Sequence, residues 1–423
     1  MKKILIIFAL LISIFSLCWA DPRSKKDNAS ELRQINFLIN EVESTRGLKF
    51  TNKVKCRFCS QREASEYLTR LNKYYNDPQI DERRDLFFHH LQLLRSQENF
   101  ARQNQLLYAD QVRGLYDPMG KLMLVVTDNA KVSLGDNQIV SLLNYLNVDI
   151  EDIYLVHELC HALQDQNFAL GDKLKLTEGN LDKELALTAV AEGDATIAMF
   201  DYLAKSVGLR SSMITKYVFG SLDNKEEAID RYTQLKNAPL IVRSLALMPY
   251  FEGTKFCQSL LKNENRTGVD VAFRRVPRST EEILHPLKYV QQSDPPKVVD
   301  FSRLPQTFGP YRAMQDDCAG EYVIRVLAQK YLPESEAEAI GRGWGGDTWR
   351  VYKSNNGSFV IWVSVWDSQA DAQEFANFWK LHGNKNTYVQ VFDRTVTLGI
   401  DIPKELLAAV KREITGGKIQ VKL

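Results

Sequence analysis

The chain has 423 residues, 44% apolar and 25% charged, with a formal net charge of +1. This is ordinary for a globular protein, is long enough for two domains, and excludes disordered and fibrous classes. Lys and Arg are interspersed with Asp and Glu and form no basic stripe, so nucleic acid is not an expected partner.

Lys2 and Lys3 precede an apolar run from Ile4 to Trp19, broken only by Ser13 and Ser16, and Ala20 precedes Asp21. That order predicts a signal peptide over residues 1–20, and hence a secreted or periplasmic mature protein. The run of about 16 residues is short of the roughly 20 that span a bilayer, and no later segment is apolar enough, so no membrane span is expected after cleavage. Residues 21–31 read as a polar leader.

From Leu32 to about Asn104 one strand, Lys53 to Phe58, alternates with helical stretches. Cys56 and Cys59 have the spacing of a redox or metal knuckle, yet no second pair completes a four-thiolate site. A local disulfide or two ordinary thiols is the preferred reading, and with five cysteines in the mature chain the fold does not rest on disulfides. Ser60 and Glu63 form a capping box that opens the next helix. Gly114 to Gly120 reads as a turn cluster, Lys121 to Thr127 as a strand and Gln138 to Leu146 as a short helix. Asp149 caps a longer helix from Glu151 to about Gln166. Leu181 to Val207 is the next long helix, apolar round most of its middle and therefore buried there.

Proline-containing segments from Pro277 to Pro305 mark the passage to a second unit. Its elements are a helix over Gly320 to Tyr331, a Gly-rich turn over Gly341 to Gly346, and a hairpin at Asn356-Gly357. A helix from Ser368 to Leu381, a strand from Tyr388 to Ile400 and a helix after Pro403 complete it. Five tryptophans, Trp344, Trp349, Trp362, Trp366 and Trp379, either line a surface or fill the core, and core packing is the commoner use.

The chemistry lies in His157-Glu158-Leu159-Cys160-His161. Two histidines four residues apart on a helix project from one face and can share a metal ion. Glu158, about 100° round from His157, stays off the metal but within reach of a water on it. Two imidazoles, an open position and a carboxylate to take a proton are the parts of zinc hydrolysis. Glu192, in the middle of the buried helix, is the natural third ligand, because a carboxylate there is costly unless bound or paired. Gly193 is explained by a close approach to the first helix. Asp194, about 200° from Glu192, is a structural partner, and Asp165 either orients an imidazole or caps the helix. Cys160 faces the core. His89, His90 and His382 have no partner pattern and read as surface or core residues.

With these residues in view, the chain resembles the gluzincins, the thermolysin-like clan in which zinc is bound by HExxH and a later Glu. More closely it resembles a family of exported bacterial gluzincin-like proteins. The resemblance rests on GLYDPMGKLMLVV, VHELCHALQDQNF, ALTAVAEGDAT, RSTEEILHPLKY, GWGGDTWRVY and VWDSQADAQEF. It implies zinc on His157, His161 and Glu192, Glu158 as general base, and Lys121 to Thr127 as the edge strand beside the cleft, where an extended peptide could add. His285 and Tyr289 are the candidates for polarising the substrate carbonyl, a place where gluzincins usually carry a His or Tyr. Their spacing suits a packing helix equally well.

The expected fold is α+β: a zincin-like metallopeptidase domain over 32–290, then a smaller α/β domain over 301–423. The expected function is hydrolysis of peptide or protein substrates by a zinc-activated water, with Glu158 taking its proton. A zinc amidase acting on cell-wall peptides is the rival among enzymes. A zinc-stabilised envelope binding or scaffold protein is the rival from another class. An open metal position in a cleft favours the enzymes, and an occluded one the scaffold.

Overall fold

The computed structural model describes residues 28–75, 77–108, 114–127, 149–211, 213 and 233–422. The expected signal peptide, most of the expected polar leader and the helix expected over Gln138 to Leu146 lie outside the described residues. Among those described, no helix is long and apolar enough to cross a membrane.

Helix and strand are both well represented, and the strands are mostly antiparallel, so the class is α+β. The first part is helical around a small sheet. Helix α1 (Asn28–Arg46) leads to β1 (Cys56–Cys59), α2 (Gln61–Tyr75) and α3 (Pro78–His90). Strands β2 (Gly114–Asp117) and β3 (Leu122–Val126) follow, and then α4 (Ile150–Phe168), α5 (Leu181–Ser206), α6 (Leu240–Arg274) and α7 (Thr280–Leu284). The capping box forms as expected, with Glu63 N–H donating to Ser60 Oγ at 3.2 Å and Ser60 N–H to Glu63 Oε2 at 2.7 Å. Asp149 accepts from Glu151 N–H at 3.1 Å and so starts α4.

The small sheet departs from expectation. Its order is β1-β3-β2, with β1 parallel and β2 antiparallel to β3. The strand within Lys121 to Thr127 is therefore central and cannot be the edge that receives a peptide. Gly114 to Asp117, taken as part of a turn, is the strand that covers it. The turn chemistry of Asp117-Pro118-Met119-Gly120 is real but begins only after Tyr116. Cys56 and Cys59 stand at opposite limits of β1 with no disulfide joining them, which leaves the ordinary-thiol reading.

Helices α4 and α5 pack together, and α5 lies along α6. At the second contact, a Cβ on Gly193 would stand 2.2 Å from Gly253 O, and one on Gly253 would stand 2.1 Å from Ala189 O. The close approach that explains Gly193 is thus to α6 and not to the HExxH helix. Two backbones touch there, which no side chain permits.

After a short strand β4 (Val298–Asp300), the second part carries a six-stranded antiparallel sheet in the order β5-β6-β7-β8-β10-β9. Its strands are β5 (Thr307–Phe308), β6 (Tyr311–Ala313), β7 (Trp344–Ser354), β8 (Gly357–Trp366), β9 (Thr387–Phe392) and β10 (Thr395–Ile400). Helices α8 (Gly320–Gln329) and α9 (Gln369–His382) flank it. The unit is α+β in topology, not α/β, because hairpins rather than helical crossovers join its long strands. Tyr388 to Ile400 is two strands, folded at Asp393, whose φ of 50° makes the reversal. Gly345 and Gly346 sit inside β7 at a bulge, where a Cβ on Gly346 would meet Lys297 O at 2.2 Å.

The sheet's inner face joins the core that the earlier helices build. Phe87 of α3 stacks on Trp349 of β7, with centroids 4.1 Å apart and planes at 4°. All five tryptophans are at most 1% exposed, which fixes their role as packing and removes them as a binding surface. Asp317 receives Arg84 Nε at 2.8 Å and Leu181 N–H at 2.7 Å, tying the sheet unit to the start of α5.

Candidate metal centre

Helix α4 carries His157 and His161 on the face turned to α5, and α5 presents Glu192 to them. His157 Nε2 and His161 Nε2 are 3.0 Å apart, and Glu192 Oε2 lies 3.1 Å from the first and 3.6 Å from the second. A tetrahedral ion with ligands at roughly 2.0–2.1 Å sets those ligands about 3.3–3.4 Å apart, so the triangle has the size zinc requires. All three side chains are wholly buried. Buried polar atoms normally have partners, yet His157 Nδ1, Glu192 Oε1 and Glu158 Oε1 have no hydrogen bond among the described residues.

Glu158 stands beside this triangle. Its Oε2 accepts the N–H of Tyr116 at 2.7 Å, so β2 holds one carboxylate oxygen and leaves the other free. At Gly114 the strand runs directly against Glu158, where a Cβ would make an ordinary contact with Glu158 Cγ at 3.4 Å. Burial pushes the Glu158 carboxyl well up, against the opposing pull of the Tyr116 N–H. Burial likewise lowers both imidazoles, His161 to about 3, and raises Glu192 despite its contacts with His157 and Tyr250. Neutral imidazoles are the form that ligates metal, and a dication would favour the Glu192 carboxylate in return.

Tyr250 completes the surroundings. It lies on α6 just after Pro249, which interrupts the helical ladder. Its ring is 6.3 Å from that of His157, and its hydroxyl acts on Glu192. No periodicity or spacing in the sequence singles it out.

The other expected residues fall elsewhere. His285 Nε2 pairs with Glu321 Oε1 at 3.0 Å, and Tyr289 donates its hydroxyl to Arg275 O at 2.9 Å while packing on Phe256. The start of α7 binds Asp182 in the first turn of α5, whereas Glu192 is ten residues on, about 15 Å along the axis. Neither His285 nor Tyr289 joins the three ligands, and the packing alternative describes them. Asp194 pairs with Arg46 and Cys160 is buried, both as expected. Asp165 does not orient an imidazole, and the backbone N–H it receives belongs to the first turn of the following helix, Leu170–Thr177, rather than to its own. It accepts Tyr116 Oη at 2.8 Å, Lys121 Nζ at 2.9 Å and Gly171 N–H at 3.0 Å, pinning the small sheet to α4. A cavity of about 510 Å³ opens beside it, lined by Lys121, Asp165, Phe168, Lys173, Phe273 and Arg274 among others.

Comparison with known proteins gives little beyond the sheet unit. No curated protein matches. A crystal structure of a candidate hydrolase with a novel fold from Chloroflexus aurantiacus is 16% identical, with a TM-score of 0.38 over 69% of this chain and 98% of that one. Residues 307–412 match a family described as a domain of unknown function, DUF8575, and the two histidines, Glu158 and Glu192 all lie before that segment.

Proposed function

We propose that this protein is an exported zinc metallopeptidase of the gluzincin type. The observation that carries the reading is the size of the buried triangle of His157 Nε2, His161 Nε2 and Glu192 Oε2, with edges of 3.0, 3.1 and 3.6 Å. Zinc held by these residues would supply a Lewis acid that acidifies water and polarises a carbonyl. The chain's own groups do the rest. Glu158 offers Oε1 to a water proton while Tyr116 N–H steadies Oε2, and the same carboxyl then delivers that proton to the departing amine. Tyr250 is the residue best situated to donate to a developing oxyanion, the role first sought in His285 and Tyr289.

Metal analysis tests the reading. The purified protein is expected to carry about one zinc per chain, and His161→Ala or Glu192→Ala to lose it. A chain reconstituted with zinc that stays metal-free, or variants that bind as the parent does, would remove the site. Tyr250→Phe is expected to keep zinc and KM while kcat falls about 100- to 1,000-fold, the usual effect of losing one oxyanion donor. An unchanged kcat would take Tyr250 out of the mechanism.

One observation favours the scaffold reading: His157, Glu158, His161 and Glu192 are each 0% exposed. Hydrolysis then requires an opening that admits substrate, whereas a structural zinc does not. Chelator-sensitive cleavage of unfolded proteins or cell-wall peptides separates the two, and a zinc-loaded parent that cleaves nothing supports the scaffold.

A further inference from the structure

The two histidines of the site differ in what holds their far nitrogens. His157 Nδ1 has no hydrogen bond among the described residues. His161 Nδ1 lies 2.9 Å from Gln164 Oε1, one turn further along α4. The orientation of the Gln164 amide is settled by its other end. Its Nε2 stands 3.0 Å from Ala191 O and 2.9 Å from Asp194 Oδ2. A backbone carbonyl and a carboxylate only accept, so the NH₂ group must face them, since a flipped amide would set oxygen against two oxygens in a buried place. Asp194 is gripped by Arg46, whose Nε is 2.7 Å from Oδ1 and 2.8 Å from Oδ2. Arg46 is itself 1% exposed and is also tied to Asp270 at 2.6 Å.

We propose that Gln164 is a positioning residue that locks His161 as its Nδ1–H tautomer, with the Asp194–Arg46 pair locking Gln164 in turn. The proposal rests on the zinc reading for its purpose, though not for its geometry. An amide oxygen can only accept, so His161 Nδ1 must carry the hydrogen, and a neutral ring then has its lone pair on Nε2. That is the nitrogen turned to His157 and Glu192. The last residue of α1 thus reaches a ligand on α4 through Asp194 of α5, which makes the N-terminal helix part of the metal site's support. The sequence signal was available: Gln164 follows His161 by three residues, the spacing that places two side chains on one helical face.

The test starts from the metal-free chain labelled with ¹⁵N-histidine. Only six histidines need resolving, and the signals of His161 are those that vanish in His161→Gln. Long-range ¹H–¹⁵N correlations report which ring nitrogen is protonated. The expected result is Nδ1–H at His161 in the parent. In Gln164→Met the ring should change to Nε2–H or a mixture, with zinc bound about 10- to 100-fold more weakly, as for other lost partners of metal-bound histidines. Gln166→Met on the same helix, outside this network, should alter neither. An Nε2–H ring in the parent overturns the proposal, and so does an unchanged tautomer in a folded Gln164→Met, even if zinc binding weakens. If Gln164→Met does not fold, the parent spectrum alone decides. A parent that never binds zinc defeats the metallopeptidase reading and leaves the tautomer measurement standing.

Discussion

Glu158→Gln is expected to retain zinc and lose hydrolysis. Gln is nearly isosteric, and its amide oxygen can still accept the Tyr116 N–H that now reaches Oε2 at 2.7 Å. The strand contact, the helix and the three ligands should therefore be undisturbed. What the amide cannot do is accept a proton at the second position, where Glu158 Oε1 has no hydrogen bond among the described residues. General-base catalysis contributes about 100- to 10,000-fold, so turnover should fall by at least that lower factor at constant metal content. Chelator-sensitive cleavage that survives the substitution would sink the mechanism while leaving the metal site intact.

Asp317→Ala is expected to destabilise the whole chain by about 3–5 kcal/mol, the usual effect of removing one partner from a buried ion pair. Arg84 and Asp317 are both almost fully buried, and Arg84 also grips Glu184 with bonds of 2.8 and 2.9 Å. Burial works against ionisation of Glu184, and Arg84 overrides it, holding that group at about 2. Without Asp317 the guanidinium keeps one carboxylate and loses the other, while Leu181 N–H at the start of α5 loses its acceptor. Chemical denaturation with unchanged slope and a lowered midpoint would show the loss. A change under about 1 kcal/mol would mean that the sheet unit and the helices are held together by apolar contact alone. The same contacts argue that a truncation at residue 300 would remove Trp349 and expose the core around Phe87 rather than release an independent metal domain.

The clustering of the three proposed metal ligands was legible in the sequence because a helix converts spacing into direction: residues four apart share a face, and a carboxylate inside an apolar helix needs a reason. The caps at Ser60 and Asp149 and the existence of the hairpin were legible for the same reason, since each depends on a few adjacent residues, though the two-residue turn is Asn355-Asn356 and Gly357 opens β8, one residue from the Asn356-Gly357 expected. What failed depends on pairing across distance. The position of β3 in the middle of its sheet follows from β1, more than sixty residues earlier, and nothing local marks a strand as central or edge. Gly114 to Asp117 was hidden by the Asp-Pro-Met-Gly turn that follows it. Tyr250 approaches the site only because Gly193 and Gly253 let two backbones meet, and the sequence gives the glycine without the partner. His285 and Tyr289 looked suitable by type, but residue type says nothing about which helix end they occupy.

The most direct test of the central claim is an anomalous-scattering map at the zinc edge from crystals of the chain. The account predicts one strong peak about 2.0–2.2 Å from His157 Nε2, His161 Nε2 and a Glu192 carboxylate oxygen, with Glu158 outside bonding distance. No peak there in crystals grown with zinc, or a peak held by other side chains, would contradict it.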